Sequence, residues 1–309
     1  MRLATIDLGT NTVRLLIAEV ERGAGRWRVL VADQRVTRLG EGLARTGRLA
    51  EAPATRTAAA VAEYVARARG AAAERIAIVA TSAVREAANG REFAARLEQA
   101  TGEAVSIISG DEEAALTLAG VLTGLDALDP TAPAIVFDIG GGSTEYILAR
   151  DRAAVMATSL RLGVVDLTER YPFPRPVDWP RFAALQAEVA QRLVTELPDA
   201  IRRAQATRLI GTAGTATTLG ALDLGLVAYQ PDRVQGHAVS RAGVEAQLAR
   251  LGALTVEQRA ALPCLEPGRA DLIVVGIAIV LATMDLLGAP RMIVSDWGLR
   301  EGLLVKLSR

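Results

Sequence analysis

An α/β fold is predicted for this chain by three observations. Short apolar, β-branched runs alternate with longer Ala- and Leu-rich segments of helical spacing. A pattern of strand, Asp, apolar residue, Gly, small polar residues and strand opens the chain (IDLGTNT) and returns near its middle (DIGGGST). Half of the 309 residues are hydrophobic against 23% charged, which supplies packed cores and allows two domains. The echo predicts two similar domains.

Residues 4–7 (ATID) end a buried strand, 8–11 (LGTN) make a turn, and 12–20 return as the second strand of a hairpin. Residues 27–34 (WRVLVADQ) form a third strand. An Ala-rich helix covers 50–69, a strand 75–80 (RIAIVA), a helix 89–100 and a short strand 105–108. Ser109-Gly110-Asp111-Glu112-Glu113 opens a helix with acids in its first turn, where the macrodipole favours them. Residues 125–133 (LDALDPTAP) hold two prolines and mark a break. Domains are therefore expected at 1–124 and 125–309, with the final helix a candidate to pack back on the first.

The second half opens with a strand at 134–138 (AIVFD), a turn at 139–145 (IGGGSTE) and strands at 146–150 and 155–160. Residues 178–204 form one or two helices interrupted near Leu197-Pro198. A strand at 208–210 leads to 211–215 (GTAGT), read as a third Gly/Thr turn. Helices at 242–251 and 271–287, a strand at 291–295 and a helix at 298–307 complete the chain.

Thirty-five basic and 35 acidic residues give zero formal net charge, which argues against field-driven nucleic-acid or anionic-membrane binding. One cysteine, Cys264, excludes a disulfide framework and a Cys-rich metal site. One histidine, His237, excludes a His-cluster metal site. The N-terminus shows no basic region followed by an apolar one, and the longest apolar run, 272–284, is too short for a bilayer. A cytoplasmic protein is expected.

A glycine turn after a buried strand lets backbone N–H groups approach an anion. Such turns are read at Gly9, at Gly140-Gly141-Gly142 and at Gly211/Gly214, each followed by Ser or Thr whose hydroxyls can donate to phosphate. Two of them begin with an aspartate, Asp7 and Asp138, the kind of ligand that hard Mg²⁺ takes. Phosphate plus Mg²⁺, held between two domains, is the chemistry these residues predict. No Walker pattern occurs, and the triple glycine precedes a strand, unlike a dinucleotide fingerprint.

IDLGTNTVRLLI, ATSAVREAAN, ISGDEEA, FDIGGGSTE, GTAGTATTLGAL and SDWGLREGLL occur in this order. The set resembles the exopolyphosphatase / guanosine pentaphosphate phosphohydrolase (Ppx/GppA) family, in its short two-domain form, over nearly the whole chain. The resemblance implies two ribonuclease H-like domains of the actin-like ATPase superfamily flanking an interdomain cleft. It implies hydrolysis of a terminal phosphoanhydride by in-line attack of water, with Glu113 as base and Glu112 its nearest rival. Arg85 matches the family's substrate arginine, and Asp7 and Asp138 its metal-associated aspartates. Glu145 matches a further cleft carboxylate, either on a metal-bound water or on the nucleophile. Gly9, Thr10, Asn11, Gly140, Gly141, Gly142, Ser143 and Thr144 match the phosphate loops. Arg14 either adds charge there or faces solvent; both readings stay open.

Asp296 is read as a cap for the final helix, with a role in the cleft as the alternative, Trp297 as packing, His237 as structural and Cys264 as a small buried hydrophobe. The family's longer members carry an extra helical domain that this sequence lacks, so polyphosphate of short to medium length is the expected substrate. Guanosine pentaphosphate is the alternative. An actin-superfamily kinase or a non-catalytic nucleotide or alarmone binder are further alternatives. Mg²⁺, or another divalent cation, is the expected cofactor. Nucleic acid and membrane are not expected partners, and a homodimer is compatible with the family.

Overall fold

The computed structural model describes residues 1–21, 27–125, 132–204 and 208–309. They divide into two compact units: Met1–Thr123 with Trp297–Arg309, and Gly124–Asp296. Most of the break read at 125–133 falls at 126–131, outside the described residues.

In the first unit, β1 (Arg2–Leu8), β2 (Thr12–Val20) and β3 (Trp27–Val36) form an antiparallel meander. After α1 (Leu43–Thr46) and α2 (Glu51–Gly70), β4 (Arg75–Ala80) pairs parallel to β1. Then α3 (Ser82–Glu86) and α4 (Gly90–Thr101) lead to β5 (Val105–Ile107), parallel to β4, and to α5 (Gly110–Gly124). The sheet order is β3-β2-β1-β4-β5.

Both faces of this sheet are covered, so β1 and β2 read as nearly continuous apolar runs rather than alternating ones. On one face Ala4, Ile6, Leu8, Val13, Leu15 and Ile17 pack with Tyr64 of α2 and Phe93 of α4. On the other, Leu3, Leu16 and Val20 pack with Leu304, and Val79 with Leu116, Leu299 and Leu303. Leu299, Leu303 and Leu304 belong to the terminal helix, Leu299–Ser308, which completes this unit's core. The two-residue period of a strand places Asp7 on this second face, with Leu3 and Thr5.

The second unit repeats the plan. β6 (Ala134–Ile139), β7 (Thr144–Arg150) and β8 (Ala153–Leu160) form an antiparallel meander. α6 (Val164–Arg170), α7 (Trp179–Glu196) and α8 (Asp199–Arg202) precede β9 (Arg208–Thr212), parallel to β6. There follow α9 (Ala213–Asp223), α10 (Pro231–Val234), β10 (Ala238–Ser240), α11 (Arg241–Gly252), α12 (Val256–Ala260), α13 (Ile273–Leu286) and β11 (Arg291–Val294). Read from β8, the sheet runs β8-β7-β6-β9-β11, the order of the first sheet, with β10 added at the far edge. The chain is thus an α/β protein with two mixed sheets of the ribonuclease H-like strand order.

The apolar run at 272–284 is explained by burial: α13 is buried from Ile273 to Met284 against this unit's core, and Thr283 Oγ1 lies 2.7 Å from the Tyr146 hydroxyl. Among the described residues no helix is long and apolar enough to cross a membrane.

Three readings are corrected. The segment 211–215, read as a Gly/Thr turn, is instead a strand-to-helix junction: β9 runs through Thr212 and α9 starts at Ala213, at φ 63°. Its neighbours β6 and β11 are both parallel to it, so the chain leaving β9 must cross over through a helix. Asp296 does not cap the terminal helix. The N-cap is Gly298, whose N–H donates to Glu301 Oε2 at 2.8 Å, while the Asp296 carboxylate accepts from the Tyr229 hydroxyl. Cys264 is half-buried, at φ 61°, because it sits in a tight loop rather than inside an element. Trp297 does pack, stacking on Trp27 with ring centroids 4.7 Å apart. His237 Nε2 lies 2.7 Å from Asp223 Oδ2.

Candidate functional site

In the first unit the β1–β2 turn is closed by the Gly9 N–H, which donates to the Thr12 carbonyl at 3.1 Å. The chain leaving β3 ties it down: the N–H groups of Thr37 and Arg38 donate to the Asn11 carbonyl, and that of Gly40 to the Thr10 carbonyl. With the Gly9 N–H committed to closure, any anion at this turn is left to the amides beyond it. Thr10 and Asn11 are buried, and Asn11 Oδ1 has no hydrogen-bond partner among the described residues. Asp7 is buried and stands opposite Arg14 across the hairpin.

Arg85 and Glu113 come together in the same unit. Thr81, at the end of β4, donates its N–H to the Leu8 carbonyl at 3.2 Å and starts the helix that carries Arg85. That helix packs tightly on the next: a Cβ at Gly90 would stand 1.8 Å from the Val84 carbonyl oxygen. Arg85 Nη1 donates to Glu113 Oε2 at 3.0 Å and to the Ile108 carbonyl at 3.0 Å. The rivals in ISGDEEA separate cleanly. Glu112 is exposed and forms a reciprocal cap with Ser109: the Ser109 N–H donates to Glu112 Oε2 at 2.9 Å, and the Glu112 N–H to Ser109 Oγ at 3.1 Å. The Ser109 N–H holds the Glu112 carboxyl below its ordinary value. Glu113, one residue on, is turned inward to Arg85.

In the second unit the β6–β7 turn is closed in the same way, by the Gly140 N–H on the Ser143 carbonyl at 2.9 Å. The Val164 and Val165 N–H groups bind the Gly140 and Gly141 carbonyls at 3.1 and 2.8 Å. Gly163 lies flat on this turn: a Cβ there would stand 2.2 Å from the Gly141 oxygen and 2.4 Å from the Gly142 carbonyl carbon. Strand register lines up Ser159, Glu145, Asp138 and Thr212 in one row across β8, β7, β6 and β9. Glu145 is 1% exposed, and its Oε1 accepts from Ser143 Oγ at 2.8 Å and Ser159 Oγ at 2.6 Å. Thr144 is fully buried and donates its hydroxyl to the Leu162 carbonyl at 2.5 Å. The Ser143 and Thr144 hydroxyl protons are thus held within the unit, which leaves Gly141, Gly142 and Ser143 to offer backbone N–H groups.

Ser159 and Gly163 carry no motif of their own and were not among the residues singled out by sequence. The only signal for them is the repeated meander, whose third strand and exit loop must lie beside the turn.

No cluster of three His, Cys, Asp or Glu side chains suited to a metal occurs among the described residues. Mg²⁺ does not need one, since it commonly takes one or two carboxylates and keeps water and substrate phosphate as its other ligands. The buried Asp7 carboxylate, the unpartnered Asn11 Oδ1 and Asp138 are hard oxygen donors of that kind.

Residues 16–309 match the model of the Ppx/GppA phosphatase family. The chain is 36% identical to Exopolyphosphatase 2 of Mycobacterium tuberculosis over 99% of its own length and 98% of that protein's. It superposes on the Aquifex aeolicus Ppx-GppA enzyme with a TM-score of 0.81 at 32% identity, covering 99% of both chains. On an exopolyphosphatase from Cytophaga hutchinsonii the TM-score is 0.90 at 25% identity, covering 100% of this chain and 98% of that one. Fold and relatives together define a phosphohydrolase, an enzyme rather than a binding module. The chain belongs to the Ppx/GppA phosphatase family.

Proposed function

We propose that this protein is an exopolyphosphatase that removes the terminal phosphate of inorganic polyphosphate. The observation that carries the reading is the Arg85–Glu113 pair: a buried carboxylate on the first turn of α5, bonded to a guanidinium at 3.0 Å. Glu113 takes a proton from the attacking water as its oxygen bonds to the terminal phosphorus and the bond to the bridging oxygen breaks. Arg85 offsets charge on the phosphoryl oxygens. Backbone N–H groups of Gly141, Gly142 and Ser143, and of Thr10 and Asn11, hold phosphate oxygens. Asp7 with Asn11 Oδ1 in the first unit, and separately Asp138 in the second, are the residues that would hold Mg²⁺, which when bound would neutralise and polarise the phosphate. Glu145 orients water. The chemistry is the same for guanosine pentaphosphate, so the assay must separate the two substrates.

The test is phosphate release with Mg²⁺ from short polyphosphate, long polyphosphate, guanosine pentaphosphate and ATP. Polyphosphate is the expected substrate, with the shorter chains preferred, and Glu113→Gln is expected to lower kcat by roughly 10²-fold or more while folding normally. A chelator should abolish release. Preference for the pentaphosphate would replace the substrate, and release from none would reject the reading.

A further inference from the structure

We propose that Ser159 is a positioning residue that, together with Ser143, holds the Glu145 carboxylate in one orientation. The proposal rests on the reading of Glu145 as a carboxylate that orients water. Ser159 sits directly opposite Glu145 in the β7–β8 register, and its Oγ is 2.6 Å from Glu145 Oε1. Ser143, two residues before Glu145, donates to the same oxygen at 2.8 Å. A carboxylate oxygen has two lone-pair positions and each serine has one hydroxyl proton. Oε1 is therefore filled by the two hydroxyls.

The need for such a clamp follows from burial. A carboxylate 1% exposed has exchanged its hydration shell for protein donors, and each missing donor is costly. Ser143 belongs to the glycine turn, whereas Ser159 lies in a strand. Its strand neighbours in register, Thr158 on Tyr146 and Leu160 on Thr144, leave it little freedom. Ser159 thus ties the carboxylate to the sheet rather than to the turn. In the first unit the matching place in the row is Gln34, an exposed residue opposite Arg14.

A clamp of this kind acts on orientation and not on substrate affinity, which separates it from a packing role. Ser159→Ala is expected to lower kcat by about 10-fold or more with KM changed by less than about 2-fold, the loss of one hydrogen bond to a charged group. Ser159→Thr, which keeps the hydroxyl, should stay within about 3-fold of wild type by the same measure. In a Glu145→Ala background, Ser159→Ala should cause no further loss, because residues acting as one unit are not additive. Additive losses, or a fall in KM performance alone, would overturn the proposal. Crystal structures of Ser159→Ala and Ser159→Thr give a readout independent of activity. The Glu145 carboxylate should turn away from its wild-type orientation in the first and keep it in the second. An unmoved carboxylate in Ser159→Ala overturns the proposal even if the wild-type protein releases phosphate. A moved one supports it even if none of the assayed substrates is cleaved, in which case only the exopolyphosphatase reading fails.

Discussion

In the β1–β2 hairpin Asp7 stands opposite Arg14; in the β6–β7 hairpin Asp138 stands opposite Glu145. The backbone around these pairs is built alike. A glycine N–H closes each turn onto the carbonyl three residues on, and the chain leaving the third strand binds the turn's own carbonyls. The difference teaches that the backbone frame is indifferent to the charge it carries. In the first hairpin an acid faces a cation. In the second, two acids lie side by side, and one of them is steadied by hydroxyls from Ser143 and Ser159. Like charges directly opposite one another are unfavourable without such compensation. The second turn therefore carries an arrangement that stability alone does not select.

The largest expected effect tests how rigidly each turn is held. A methyl group at Gly163 meets backbone atoms of Gly141 and Gly142, whereas one at Gly40 meets the Thr10 side chain, its Cγ2 at 2.2 Å. Gly163→Ala should cost about 3 kcal/mol and Gly40→Ala about 1 kcal/mol, because a side chain can yield where backbone cannot. Urea unfolding measures both, and equal losses would show that the two turns are held alike. Next comes charge. Glu145→Ala should lower kcat about 10²-fold and Arg14→Ala less than about 10-fold, since only the former is assigned a part in orienting water. Steady-state phosphate release compares them, and a reversed ranking would exchange the roles of the two rows.

The smallest effect separates the adjacent acids of α5. Glu112 is held below its ordinary value by the Ser109 N–H. A depressed carboxyl contributes stability above its unfolded value, near 4.5, and that contribution is lost as pH falls through the lower folded value. Glu112→Gln should therefore lower stability by about 0.5 kcal/mol near pH 7 and leave it unchanged in strong acid. Unfolding midpoints across pH measure this, and a loss that persists in acid would mean the cap acts through packing. Catalysis should be unaffected.

Most of the fold was legible because strand and helix periods are local properties. β2 spans the residues that its apolar run marks, and β4 those of RIAIVA. The helix α6 was missed because Val164–Arg170 is short and follows a strand without an N-cap side chain. The GTAGT segment misled because Gly and Thr suit both a turn and a strand-to-helix junction, and only the parallel neighbours of β9 decide between them. Of the candidate site, the aspartates and glycines stand in motifs. Which acid of Asp111-Glu112-Glu113 turns inward is settled by helix phase and by Arg85, 28 residues away in sequence. Ser159 is visible only once β8 is in register with β7.

The terminal helix has a consequence for how the protein is made. Leu299, Leu303 and Leu304 fill the second face of the first unit's sheet, whose strands all lie before residue 108. During synthesis, residues 124–296 are translated as one continuous unit and can close their core while the first unit still lacks its covering helix. The part of the chain that leaves the ribosome first is thus the last to be finished. Until then Leu3, Leu16 and Val79 of the nascent sheet, with Leu116 of α5, form an apolar surface, the kind of patch that holdase chaperones bind.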